Sequence, residues 1–158
     1  MTTVIASASG PVAGTIGDTA TDLGAVDEAI QTQAEPLAVT AFTESAAAVS
    51  QDIAYELWMY NSSGATEAQI QDAVEAALIT FFQMQPIGGN LLDPGDTTGK
   101  IYSDAIKRAI ADVSPLIFHV VLTTPAGDVT LANTEVATMG TITGEVIHQV
   151  PPAEGAPA

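Results

Sequence analysis

The sequence predicts an α+β fold: a small mixed, mostly antiparallel sheet covered by two helices, with an extended N-terminal arm. Three observations point there. Residues 52–60 alternate between apolar and mixed positions, the period of a strand with one buried face. Residues 66–84 repeat apolar side chains at three- and four-residue steps behind a helix-start signal. The 158 residues are 47% hydrophobic, enough for one core in a single compact domain.

The elements follow in order. The first two dozen residues are rich in Gly, Thr, Ser and Ala without a sustained period, so residues 1–24 are expected to form an extended arm or linker. A helix is expected over 25–33, with Leu23, Val26 and Ile30 at helical spacing and Pro36 as its stop. Two strands follow, at 37–44 and 49–60. In the second, Ile53, Tyr55, Leu57 and Met59 point one way, while Asp52, Ala54, Glu56, Trp58 and Tyr60 point the other. Thr66 and Gln69 form a capping box, and Ile70, Val74, Leu78, Phe81 and Phe82 make the core stripe of the helix they start. Pro86 to Asn90 end that helix, and an acidic loop leads to a short extended piece at 100–102. Ser103 is expected to cap a second helix carrying Ile106, Ala109, Ile110 and Val113, closed by Pro115. Residues 116–124 are apolar at nearly every position, which predicts a central strand buried on both faces. A short piece at 129–131 and an alternating strand at 135–146 complete the domain, assigned to 25–148; residues 149–158 are expected to be a disordered tail.

Composition excludes several functions. Nineteen acidic residues face three basic ones, Lys100, Lys107 and Arg108, for a net charge of −16, which cannot build a phosphate-tracking surface and repels nucleic acid and anionic membranes. The absence of cysteine excludes disulfides, thiolate metal sites and cysteine nucleophiles. The opening residues lack the basic start and apolar run of a signal peptide, so none is expected, and no run is long enough for a membrane helix. Only 14% of residues are charged, so much of the surface must be Ala, Thr, Ser, Gln and Gly. That suits a subunit inside an assembly, and equally a merely alanine-rich domain.

No catalytic constellation emerges. The two histidines, His119 in the expected central strand and His148 near the tail, stand in no nucleophile or metal motif. Asp93 and Asp96 flank a Pro-Gly turn and offer the best metal candidate, although two carboxylates fall short of a calcium loop and suit an ordinary turn. A small acidic hydrolase or calcium-binding domain using that loop is the alternative to an assembly role, and a halophile-adapted binding domain is a third. Trp58 and Tyr60, on the mixed face of their strand, are the first candidates for a subunit contact, a covering helix being the other use of such rings.

From Thr66 onward the chain shows an ordered set of features. A helix reading AVEAALxxFF comes first, then the break Pro86-Ile87-Gly88-Gly89. Ile101-Tyr102-Ser103 opens the second helix, FHVVLTTPAGDVTL follows over 118–131, and EVATMGTI closes the set over 135–142. In this order they resemble the C-terminal region of the baseplate J family, Mu-like wedge proteins of contractile phage tails and related injection devices. The resemblance extends less sharply upstream and covers about 120 of the 158 residues. It implies a virion structural protein of the tail baseplate, assembled in the host cytoplasm, that pairs with a second copy and with other wedge subunits. It further implies a sixfold ring around the tail hub and sheath-initiator proteins. It implies no catalytic residues, cofactor or metal.

Overall fold

The computed structural model describes residues 2–34, 42–61, 64–93 and 95–150. Its elements run β1 (Thr2–Ser7), β2 (Gly10–Pro11), α1 (Asp22–Ala29) with a π-helical turn (Ile30–Ala34), β3 (Phe42–Ser45), β4 (Ala47–Tyr60) and α2 (Glu67–Gln83). Then come β5 (Gly99–Ile101), α3 (Ser103–Ala111), β6 (Ile117–Thr124), β7 (Val129–Leu131) and β8 (Glu135–Gln149). Helices and mixed sheets together make the α+β fold that the periodicities predict. The chain divides into two units, residues 1–50, 83–100 and 130–138 in the first and 51–82, 101–129 and 139–158 in the second.

In the first unit β1 is the middle strand of the order β2-β1-β3, antiparallel to β2 and parallel to β3 with Thr2 opposite Phe42 and Ile5 opposite Ser45. The stretch expected as an arm therefore carries two strands. Its Thr2-Thr3-Val4-Ile5 run has the β-branched side chains that favour a pleated strand, a local signal too short to establish a period. α1 starts at Asp22, ahead of the expected 25, because Thr21 Oγ1 accepts the Gly24 N–H at 3.3 Å and caps the helix there. Leu23 is buried, whereas Val26 is exposed. Of the strand expected at 37–44, residues 37–41 lie outside the described residues and β3 covers the remainder.

The break after α2 belongs to this unit. Gly88 and Gly89 both have positive φ, 78° and 73°. A Cβ on Gly89 would come within 2.7 Å of the Lys100 backbone nitrogen. Asn90 and Lys100 exchange two backbone hydrogen bonds of 2.9 and 3.0 Å immediately beyond. The two glycines thus turn the chain sharply enough to lay it directly against β5.

In the second unit β4 is the middle strand of the order β6-β4-β8. β6 pairs antiparallel with β4. Bonds from Ala47 to Thr134, Thr141 to Asp52 and Asn61 to Gln149 advance together along both chains, so β8 runs parallel to β4. The expected alternation of β4 is observed: Ile53, Tyr55, Leu57 and Met59 are buried, while Ala54, Glu56, Trp58 and Tyr60 are half-buried. The capping box forms in both directions, Thr66 N–H donating to Gln69 Oε1 at 3.0 Å and Gln69 N–H to Thr66 Oγ1 at 3.3 Å. α2 then buries Ile70, Val74, Leu78 and Phe82, one residue per turn.

Two local expectations are corrected. Ser103 does not cap α3. Tyr102 is the N-cap residue and makes no side-chain cap bond, and Asp128 Oδ1, from the loop after β6, accepts the Ser103 N–H at 3.0 Å. The second correction is larger: β6 is an edge strand rather than a central one. Only Ile117 of its eight residues is buried, and Phe118 and Val121 are 46% and 37% exposed. An unbroken apolar run reads as burial on both faces only if both faces are covered. Here α3 packs against β6, burying Ile106 and Ile110, and the other face stays open. At the other end of the chain β8 continues through Gln149, and residues 151–158 of the expected tail lie outside the described residues.

Candidate functional site

The open face of the β6-β4 pair collects the aromatic side chains. Register places Trp58 opposite His119 and Met59 opposite Ile117, so Phe118 is the extra residue of a β-bulge. A bulge puts two residues of one strand opposite one of the other and re-aims a side chain. Phe118 accordingly stacks on Tyr60, with ring centroids 4.6 Å apart at an interplanar angle of 29°. Trp58 and His119 meet at 5.1 Å with a tilt of 49°. The structure thus brings the two candidate contact residues together with Phe118, His119 and Val121, all on β6, whose eight residues include no Asp, Glu, Lys or Arg. His119, expected within a buried strand, is exposed. The alternation of β4 points to Trp58 and Tyr60; nothing in the sequence marks the bulge that adds Phe118.

The Asp93/Asp96 loop is closed on itself. Asp96 Oδ2 accepts the Asp93 N–H at 3.2 Å, and the Asp96 N–H donates to the Asp93 carbonyl at 3.0 Å, the backbone bond of a β-turn reinforced by the side chain of its last residue. Asp96 lines a cavity of about 260 Å³ beside Ile87, Leu91, Thr97 and Asn133, and Asp93 does not. Among the described residues, no three His, Asp or Glu side chains gather as metal ligands would.

A second cavity, of about 350 Å³, lies in the other unit between α2 and the sheet. Gln71, Asp72 and Glu75 of α2 line one side, and Ile142, Thr143 and Gly144 of β8 the other, with Tyr55 of β4 beneath. Gln71 Nε2 donates to the Gly144 carbonyl at 2.9 Å and ties the helix to β8. Gly144 is glycine because the Tyr55 ring needs the room: a Cβ there would fall on Tyr55 Cζ, Cε1 and the hydroxyl. Tyr55 is 3% exposed, and its hydroxyl has no hydrogen-bond partner among the described residues. Burial, and secondarily the charge of Glu75, raise its pKa above the ordinary phenol value of 10.0, so the hydroxyl stays neutral through the physiological range. Sequence reading places Tyr55 only in the core, since nothing local reveals that Gly144 lies over it.

α2, the Gly-Gly break, β5, α3, β6, β7 and most of β8 fall within a known domain. Residues 59–145 match the model of the Baseplate J-like protein C-terminal domain, more than half of the chain. The chain belongs to this family. Comparison with curated proteins finds no match. Family membership gives the chain a structural role in the phage tail baseplate. Within the baseplate J-like domain, α2, the Gly88-Gly89 turn, β5, α3 and β6 form the ordered series of the sequence motifs, and each motif has a local physical task. The stripe buries α2, the glycines turn the chain, and Tyr102 and Ser103 start α3.

Proposed function

We propose that this chain is a component of a contractile-tail baseplate wedge and works entirely by protein–protein assembly, with no bond made or broken. Its partners are other wedge subunits and a second copy of itself, within a sixfold ring around the tail hub and sheath initiator. The ring is assembled in the host cytoplasm and carried in the virion. The observation that carries this is the match to the baseplate J-like C-terminal domain over residues 59–145. The open face of β6 and β4 supports it. An edge strand without Asp, Glu, Lys, Arg or Pro and with an exposed Phe and Val is a liability that soluble monomers blunt with charge or Pro, and a subunit contact resolves it.

The test is size-exclusion chromatography with light scattering on the chain alone and mixed with neighbouring tail proteins. Self-association or co-elution is expected, and Trp58→Ala should weaken it more than it lowers the melting temperature. A chain that stays monomeric and binds none of those proteins overturns the proposal. Equal loss of assembly and folding in Trp58→Ala would make Trp58 a core residue instead.

A further inference from the structure

We propose that the cavity above Tyr55 is a binding site for a guanidinium group, filled by an arginine side chain that a neighbouring subunit presents. The partner's being a subunit rests on the assembly role above; the chemistry of the site does not. The two carboxylates of Asp72 and Glu75 make the cavity predominantly an acceptor site. Asp72 and Glu75, three apart on α2, turn two carboxylates to the same opening, where like charges repel. Neither has an ion-pair partner among the described residues, whose ion pairs are Lys107 with Asp104 and Arg108 with Asp112. None of the chain's three basic residues lines the cavity.

Tyr55 lines the same cavity, and its buried hydroxyl has no hydrogen-bond partner among the described residues. A buried polar group without a hydrogen bond costs free energy that a ligand recovers when it supplies one. Gln71, the one amide donor on the rim, is already engaged with the Gly144 carbonyl. Two carboxylates and a hydroxyl that can also accept suit a ligand that donates in several directions, which describes a guanidinium with five N–H groups on a planar fork. Calcium fits poorly, since it takes six to eight oxygens and only two carboxylates are present.

The test uses the whole chain, with N-acetyl-arginine amide as the probe and N-acetyl-citrulline amide, its neutral isostere, as the control. Amide signals of Gln71, Thr143 and Gly144 are followed by NMR. Saturable shifts with the arginine probe and none with citrulline are expected. Asp72→Asn and Glu75→Gln should each weaken binding about three- to fivefold, the range of a partly exposed ion pair. Tyr55→Phe, which keeps the ring in place, should also weaken it, while Asp104→Asn, away from the cavity, should not. Equal shifts with citrulline would overturn the proposal. So would stronger binding of calcium at the same residues, or equal loss in Asp104→Asn, which would reduce the effect to diffuse attraction. Assembly that persists in Asp72→Asn/Glu75→Gln without probe binding sinks this site and leaves the wedge role standing. Probe binding without assembly does the reverse.

Discussion

Gly144→Ala probes the close approach of β8 to the Tyr55 ring in the second unit. Gly144 has ordinary strand φ, so alanine is permitted by the backbone, and removing a flexible glycine from a strand favours the folded state by roughly 0.5–1 kcal/mol. Against that, the new methyl would occupy the position of three Tyr55 atoms, Cζ, Cε1 and the hydroxyl. Tyr55 sits on the middle strand of its sheet and is 3% exposed, so its only relief is to tilt into the adjoining cavity of about 350 Å³. Overpacking costs about 1–3 kcal/mol, and overlap with three atoms belongs at the upper end, about 2–3 kcal/mol, which leaves a net loss of about 1–2 kcal/mol. For a chain of this size that lowers the melting temperature by about 2–8 °C. Thermal and urea unfolding of Gly144→Ala, Tyr55→Leu and the double variant form a cycle. Leucine vacates the contested space, so the double variant should be more stable than the summed single losses predict by at least about 1 kcal/mol. A Gly144→Ala protein as stable as the parent, or additive losses in the cycle, would refute the claim that the ring and the glycine share one volume.

Other outcomes follow from the same geometry. Since the folded-state pKa of Tyr55 lies above its unfolded value of 10.0, the folded protein holds the phenolic proton longer, and stability is full below pH 10 and falls above it; Tyr55→Phe should flatten that alkaline limb relative to the parent in denaturant titrations. At neutral pH Tyr55→Phe should be neutral or stabilising, because it removes a buried hydroxyl without a partner. Thr66→Ala deletes one half of the capping box and should cost about 0.5–2 kcal/mol, read by chemical denaturation. Asp128→Ala uncaps α3 from a distant loop and should cost about 1 kcal/mol, with Asp128→Asn avoiding most of that loss because it keeps an acceptor.

The capping box, the burial alternation of β4 and the apolar stripe of α2 depend only on residues within a few positions of one another, so the amino-acid sequence determined them and with them the α+β class. Recognition of the family rests on the same local motifs taken in order, as does the placing of Trp58 and Tyr60 on the outer face of β4. The tertiary structure decided the rest. Whether residues 116–124 are covered on both faces depends on which strand lies beside them, and the answer, an edge position with a bulge at Phe118, comes from pairing with β4 across the whole of α2 and α3. The helix-starting acceptor of α3 sits 25 positions away at Asp128, where no capping pattern looks. The Tyr55 cavity exists because β8 runs parallel to β4, bringing Thr141 to Asp52 over 89 positions and Gly144 over the phenol ring. Side-chain periodicity encodes which face of an element is apolar. It carries no information on which distant element covers that face, because that is settled by the competing packings of the whole chain.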